Sequence, residues 1–509
     1  MPTAREMLAE PFGTLPDLIA AHARERGDKI ALIHGDSALT YAALNMRMDR
    51  IAAALQRAGT VQRQAVAIVG GMSVDYAAVF LGAIRAGAVP APIAPSSTGD
   101  QMAAMIADCG ANVVFLDADA AATLGDRVVT AQRVMLDSSG LDAFLEDAGT
   151  PTPVTIQPDD PFNIIYSSGT TGTPKGIVQP HAMRWAHIAR NEAAGFGDAV
   201  TMVATPLYSN TTLVSFIPTL AWGGTAVLLG KFDARGFLEA AAKHRATHAM
   251  LVPVQYQRIM GVPDFNRFDL SSFRLKTCTS APFSAALKAD IVARWPGLLV
   301  EYYGMTEGGG TCLLVANHYP DKLHTVGMPV PGHDIRLIDD DGREVAQGEM
   351  GEVVGRSPAM MSGYHGRQQA SSDAEWFDAE GNRYIRHGDV GRFDADGFLT
   401  LLDRKKDLII SGGFNIYPSD LEAELAQHPG VRDCAVIGVP SEQWGETPVA
   451  FYVPADSIAA DEILGAVNAT LGRTQRLTAL LPIDELPRSA IGKVLKRELR
   501  DLYTEAVAA

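Results

Sequence analysis

The chain has 509 residues, 47% of them hydrophobic and 20% charged, which is ordinary globular composition and too much chain for one core. Lys plus Arg number 43 against 59 Asp plus Glu, a net charge of −16. Such an acidic surface argues against a general nucleic-acid binder and aids solubility. It still permits an anionic ligand, because local basic groups and backbone amides decide that.

In chain order, Leu44, Met48, Ile51 and Leu55 fall at helical spacing and Gly59 supplies a stop. The pattern then predicts a strand over 66–69, a helix over 74–86 and a strand over 89–93. Further strands are expected near 163–166, 225–229, 249–252 and 274–278. This alternation points to an α/β architecture with largely parallel, buried strands. From Asp339 the texture changes, with Gly- and Asp-rich turns (339–342 and 394–397) separating short strands of a β-rich subdomain. The expected division is an N-terminal domain over 1–403, made of α/β subdomains to about 338 and the β-rich part over 339–403. A small α+β domain over 404–509 follows, with strands at 435–439, 449–453 and 480–483 and a helix at 461–471.

The four cysteines, Cys109, Cys278, Cys312 and Cys434, lie far apart without CxxC spacing. A zinc site or disulfide framework is not expected, and a reducing compartment fits. Residues 1–10 lack the charged-then-apolar pattern of a signal peptide, and apolar runs such as 76–83 are too short to span a bilayer. A cytoplasmic protein without transmembrane segments is the expectation.

The chemistry-bearing segments come in a fixed order. Tyr166-Ser167-Ser168-Gly169-Thr170-Thr171-Gly172-Thr173-Pro174-Lys175-Gly176 combines glycines, hydroxyls and one lysine. Such a loop can wrap nucleotide phosphates with N–H and O–H donors; a flexible surface turn is the bland alternative. The order of a P-loop is absent, and residues 66–71 lack the Gly-x-Gly-x-x-Gly of a dinucleotide fold. In Tyr302-Tyr303-Gly304-Met305-Thr306-Glu307-Gly308-Gly309, a base could lie on the aromatic ring and Glu307 could hold Mg²⁺, while Thr306 could bond a phosphate oxygen. The alternative makes Thr306 a helix cap. Asp389 could accept from ribose hydroxyls, with Arg404 donating to the same sugar. Lys493, in Pro487-Arg488-Ser489-Ala490-Ile491-Gly492-Lys493, sits on a turn before a basic helix over 494–500. Taken singly, each of these charges more often belongs to a solvated surface.

Together the identity and order of these segments resemble the adenylate-forming superfamily of acyl-CoA synthetases, firefly-type luciferases and peptide-synthetase adenylation domains. The resemblance covers nearly the whole chain and is most like an acid–CoA ligase. It implies that Ser167, Ser168, Gly169, Thr170, Thr171, Gly172 and Lys175 clasp the triphosphate of ATP. Tyr303, Gly304 and the stretch Ser280-Ala281-Pro282 would line the adenine, Asp389 and Arg404 the ribose. Glu307 would ligate Mg²⁺ beside Thr306, and Lys493 would reach in for adenylation. The small domain would then rotate about Lys406, bringing Ser411, Gly412 and Gly413 to form a tunnel for the CoA arm.

For the acyl pocket the resemblance points to Tyr208, Ser209, Asn210, Gly304, Gly308 and Gly309. Many relatives carry His or an aromatic where Ser209 stands, and the run Gly308-Gly309-Gly310 suggests a pocket not closed by side chains. An aryl, aryl-alkanoic or medium-chain acid is therefore expected. The runner-up is a carrier-protein-loading enzyme, although no carrier domain follows and no Asp stands just after Pro206 to bind an amino-acid ammonium. A homodimer is left open.

Overall fold

The computed structural model describes residues 1–167, 174–189, 194–411, 414–441, 443–455, 458–472, 475–489 and 492–508. Their alternating apolar pattern builds two sheets whose central strands run parallel. One has nine strands, ordered from Met328–Pro329 through Cys312–Val315, Leu298–Tyr303, Leu275–Cys278, His248–Leu251, Val200–Val203, Thr225–Leu228 and Ile30–His34 to Ser37–Thr40. Its ends pair antiparallel, and the six strands between are parallel. The other, ordered Val89–Ile93, Ala65–Val69, Val113–Leu116, Gln132–Met135, is parallel throughout.

Side chains alternate across these strands, so each sheet feeds two cores. Val66 and Ile68 join a core that also holds Ala226 and Leu228 of the larger sheet and the helices Tyr41–Arg57 and Val74–Arg85. Ala65, Ala67 and Val69 face a second core, and Met202 and Val227 a third. Helices are thus sandwiched between two sheets, which is why both sets of strands are apolar on both faces.

A third sheet departs from the parallel expectation. Strands Pro161–Ser167 and Lys175–Pro180 pair antiparallel, with Asn163 opposite Gln179 and Ser167 opposite Lys175, and Gly363–Tyr364 adds to the edge. Tyr166, Ser167, Lys175 and Gly176 therefore lie on strands, and only the residues between them connect the two.

The β-rich region is an antiparallel sheet of Asp334–Ile338, Met350–Arg356, Arg383–Phe393, Glu375–Phe377 and Leu399–Arg404. After Arg404 the strands belong to a separate sheet built on the long hairpin Val431–Ser441 and Gly445–Pro454, with apolar cores of its own. The mixed α/β body is large and the C-terminal unit small. Among the described residues no helix is long and apolar enough to cross a membrane. Cys109, Cys278 and Cys312 are buried, Cys434 half-buried, and all four are free thiols.

Candidate functional site

Tyr303 ends the buried strand Leu298–Tyr303, and its ring is almost wholly inside. The Tyr303 hydroxyl donates to Asp389 Oδ2 at 2.8 Å, and Arg404 Nε contacts Asp389 Oδ1 at 2.9 Å. Asp389 and Arg404 are direct partners across neighbouring strands, so backbone register alone brings this pair together. A carboxylate offers about four lone-pair positions, so Asp389 keeps acceptor capacity after both contacts.

His387 completes the cluster and was not singled out from sequence, although it lies in the same strand. Its Nε2 sits 2.8 Å from Gly309 O and its Nδ1 3.0 Å from the Tyr303 hydroxyl. Burial holds His387 below the usual imidazole range, so the ring is neutral at pH 7. A carbonyl only accepts, so the ring proton is on Nε2. The single Tyr303 proton then has two acceptors, Nδ1 and Asp389. Burial, with Asp389 next, pushes the Tyr303 hydroxyl far above its ordinary range, so it remains a donor.

Residues 304–311 turn tightly after Tyr303. No helix begins there, which removes the helix-cap alternative for Thr306. Gly308, Gly309 and Gly310 have φ of 84°, 79° and 95°, a region that favours glycine. A Cβ on Gly308 would lie 2.0 Å from Ala359 O, and one on Gly309 2.7 Å from Ile385 Cβ. On its Cβ side the run is thus filled by packing against the β-rich sheet, so the missing side chains leave no space in that direction. The expectation of a widened acyl pocket loses that support. Gly304 is looser, its Cβ position 3.4 Å from Gly310 O.

Glu307 accepts from the Tyr364 hydroxyl at 2.9 Å through Oε1. Lys175 Nζ lies 5.1 Å from the centroid of the same ring, on the other partner of this sheet. Tyr364, missed in the sequence because it stands on a separate two-residue strand, therefore separates an acid from a base. Among the described residues no group of three or more His, Cys, Asp or Glu could hold a metal by itself. One hard carboxylate oxygen suits Mg²⁺, which takes most of its ligands from phosphates and water.

Ser280 follows the strand Leu275–Cys278 with φ of 85°, and its Oγ is 2.6 Å from Thr211 Oγ1. Ala281 is half-buried and Pro282 exposed. Thr211 belongs to the helix Asn210–Ala221, whose N-cap position is Ser209. Ser209 is buried, while Tyr208 and Asn210 are half-buried, and burial pushes the Tyr208 hydroxyl up to about 12. Gln179 Nε2 donates to Thr306 O at 2.7 Å and to Asn210 Oδ1 at 3.3 Å. The segments around 208–210, 280 and 303–307 thus meet.

Lys493 comes from the C-terminal unit. Its turn is closed by Ser489 N–H donating to Lys493 O at 2.8 Å and by Arg488 donating to Gly492 O at 2.8 Å. Gly492, with φ of 75°, presses against the body, where a Cβ would come within 2.6 Å of Val254 Cγ1. Burial lowers the Lys493 ammonium to about 8, with Arg404 and Lys406 lowering it further and Asp389 and Asp407 opposing them. The lysine therefore senses the Asp389–Arg404 pair. The following helix is Lys496–Ala508, later than the expected 494–500, because Val494 pairs with Arg488 instead.

Ser411 lies in register with Gly445 and Phe414 inside the C-terminal sheet, and Lys406 is exposed on the turn that precedes that sheet. Ser168, Gly169, Thr170, Thr171, Gly172, Gly412 and Gly413 lie outside the described residues, as does the side chain of Ser167.

Comparison with known proteins agrees with this layout. Residues 19–365 match the AMP-binding enzyme family, and residues 420–493 match the AMP-binding enzyme C-terminal domain. Feruloyl-CoA synthase from an Amycolatopsis species is 37% identical over 481 residues, 92% of this chain and 95% of that one. Indoleacetate–CoA ligase from Aromatoleum aromaticum is 32% identical, across 96% of this chain and 98% of the relative. Among solved structures, ATP-bound MatB from Rhodopseudomonas palustris superposes with a TM-score of 0.85 at 28% identity, covering 96% of this chain and 99% of that one. The chain belongs to the AMP-binding, adenylate-forming enzyme family.

Proposed function

We propose that the protein is an AMP-forming acid–CoA ligase. In the first step a carboxylate oxygen bonds to the α-phosphorus of ATP as the bond to pyrophosphate breaks. In the second, the CoA sulfur bonds to the acyl carbon, its proton is released, and AMP departs. The observation that supports this most is that buried Tyr303 and the half-buried Asp389 and Arg404 form one cluster whose charges perturb Lys493 from the other unit.

On this reading Asp389 and Arg404 hold the ribose, and Tyr303, Gly304, Ser280, Ala281 and Pro282 border the adenine. The hydroxyl-rich segment from Ser167 to Lys175 embraces the phosphates. Glu307, fixed by Tyr364, would hold Mg²⁺ with Thr306 nearby in the chain; the ion would offset the negative charge of the phosphates. Two anions must approach in the first step, so an ammonium placed there by Lys493 and a fixed geometry lower the barrier most. The neighbouring cations that lower Lys493 in the free protein are outweighed once a triphosphate arrives.

The second step calls for a different face of the small unit. The reading takes 404–509 as that unit, Lys406 as the pivot, and Ser411, Gly412 and Gly413 as the passage for the thiol arm. The body is then 1–403, with 339–403 as its β-rich part, a division supported by the change of sheet after Arg404. Tyr208, Ser209, Asn210, Gly304, Gly308 and Gly309 would border the acyl group. Relatives named for feruloyl and indoleacetyl thioesters favour an aryl-alkenoic or aryl-alkanoic acid over a medium-chain one. The cytoplasm, where ATP and CoA are plentiful, suits this chemistry; a sizing column separates monomer from homodimer.

Pyrophosphate release from Mg-ATP across a panel of carboxylic acids, with and without CoA, tests the proposal. Acid-dependent release that rises with CoA and yields an acyl-CoA is expected. Acyl transfer only to a carrier protein would point to the alternative partner, and no release with any acid would overturn the reading.

A further inference from the structure

The hairpin that carries Lys175 has a polar feature on its inner side. Asn163 and Gln179 face each other across it, and both are fully buried. Arg184, on the helix His181–Ala189, is buried with them, its guanidinium 5.7 Å from the centroid of Phe162. Arg184 donates to Asn163 Oδ1 at 3.2 and 3.1 Å and also to Gln179 Oε1. Asn163 Nδ2 donates to Gln179 Oε1 at 3.0 Å. Gln179 Nε2 then leaves the trio for Thr306 O and Asn210 Oδ1.

Chemistry permits one orientation of these amides. A guanidinium only donates and a peptide carbonyl only accepts. Gln179 must therefore turn its oxygen to Arg184 and its nitrogen to Thr306. Asn163 and Asn210 follow from that choice, so donors run one way from a buried charge to Asn210, each bond polarising the next. Asn210 has its oxygen engaged and its two N–H donors directed away from Gln179.

We infer that Gln179 is a positioning residue that sets acid selectivity. It ties the backbone at Thr306 to the carboxamide of Asn210 and presents Asn210 as a hydrogen-bond donor. Acids bearing an acceptor oxygen on the ring or chain remote from the carboxylate are favoured over their unsubstituted counterparts. This inference rests on the acid-activating reading above.

The test compares cinnamate with 4-methoxycinnamate by acid-dependent pyrophosphate release. Wild type is expected to prefer the methoxy acid in kcat/KM. Gln179→Glu keeps an oxygen toward Arg184 but removes both outward donors. It should retain its melting temperature within a few degrees and lose about tenfold of that preference, mainly through KM, the size of one buried hydrogen bond. Asn163→Asp sits one residue further back and sets an oxygen against Gln179 Oε1, which strains the orientation that Arg184 and Thr306 fix; a loss of about threefold is expected, even where Gln179→Glu fails to fold. A wild-type enzyme active on acids but indifferent to the methoxy group overturns the selectivity while leaving the ligase reading intact. Rate losses in both variants with the preference unchanged reduce the trio to a core role and overturn the proposal. A wild-type protein silent with every acid overturns the ligase reading and this inference together.

Discussion

Asp389 is gripped by Arg404 and Tyr303 from adjoining strands of the N-terminal body, and His387 braces that arrangement from behind. Lys493 reaches the same neighbourhood on a turn whose described hold on the body includes Gly492 against Val254 and an exposed Arg258–Glu485 pair at 3.3 Å. The first region holds Tyr303 and His387 buried and ties them across a sheet to Asp389 and the part-exposed Arg404, so moving the buried pair means breaking buried hydrogen bonds, about 1–3 kcal/mol each. The second includes a glycine set against the Val254 side chain and a screened surface pair, the latter worth little by itself. A site assembled this way has one half tied into a single sheet and the other half carried by a separate unit.

The comparison is broken most severely by Lys493→Ala. Acid-dependent ATP–pyrophosphate exchange should fall about 10²–10³-fold, as for loss of a charge-stabilising donor, whereas CoA transfer from a supplied acyl-adenylate should hold. Equal loss in both assays would mean that the lysine serves both steps. Gly492→Ala comes next: a side chain at positive φ costs about 1–3 kcal/mol, and its Cβ meets Val254. Exchange should drop about tenfold with the body's melting temperature unchanged; normal exchange would show that the close contact is dispensable.

The pH response sharpens the same contrast. With its lysine lowered to about 8, the free enzyme is partly deprotonated there at pH 8.5. A bound triphosphate favours the ammonium, so Mg-ATP binding should take up a fraction of a proton at pH 8.5. Calorimetry in buffers of different ionisation enthalpy measures this, and Lys493→Ala should abolish it. The depressed value also means that the unfolded chain binds more protons between about pH 8 and 10.5, so this group's penalty on the closed form eases as pH rises through that window. The smallest effect expected is that of Arg258→Ala, less than about twofold on either half-reaction, since both partners of that pair are exposed.

Much of this was legible in the residues. The strand Val89–Ile93 and the helix Val74–Arg85 lie where the apolar periodicity put them, because the strand is wholly buried and the helix carries its charges only at its ends, Asp75 and Arg85. The antiparallel hairpin was read only as a strand and a loop. Its second strand begins at Lys175-Gly176, residues that suit a turn, and only pairing with Pro161–Ser167 makes them extended. Strand Val431–Ser441 outruns the expected 435–439 because its polar ends are held by the ladder rather than by burial. Within the site, Tyr303, Asp389 and Arg404 were marked by motif, while Gln179 and Asn163 were invisible as a pair. The signal for them was an amide at a buried strand position, and only cross-strand register shows that two such amides meet. His387 stands two residues before Asp389, and nothing local announced that it faces Tyr303.

The packed glycines at 308–310 bear on how such an enzyme could be altered. With Gly308 set against Ala359 O and Gly309 against Ile385, almost every substitution there displaces main chain, so a mutagenesis library spread over these positions would yield mostly misfolded clones. Variation at Tyr208 and Asn210, both half-buried, moves side chains alone. Side-chain variation is therefore tolerated far better at the entry to the helix Asn210–Ala221 than along the glycine run.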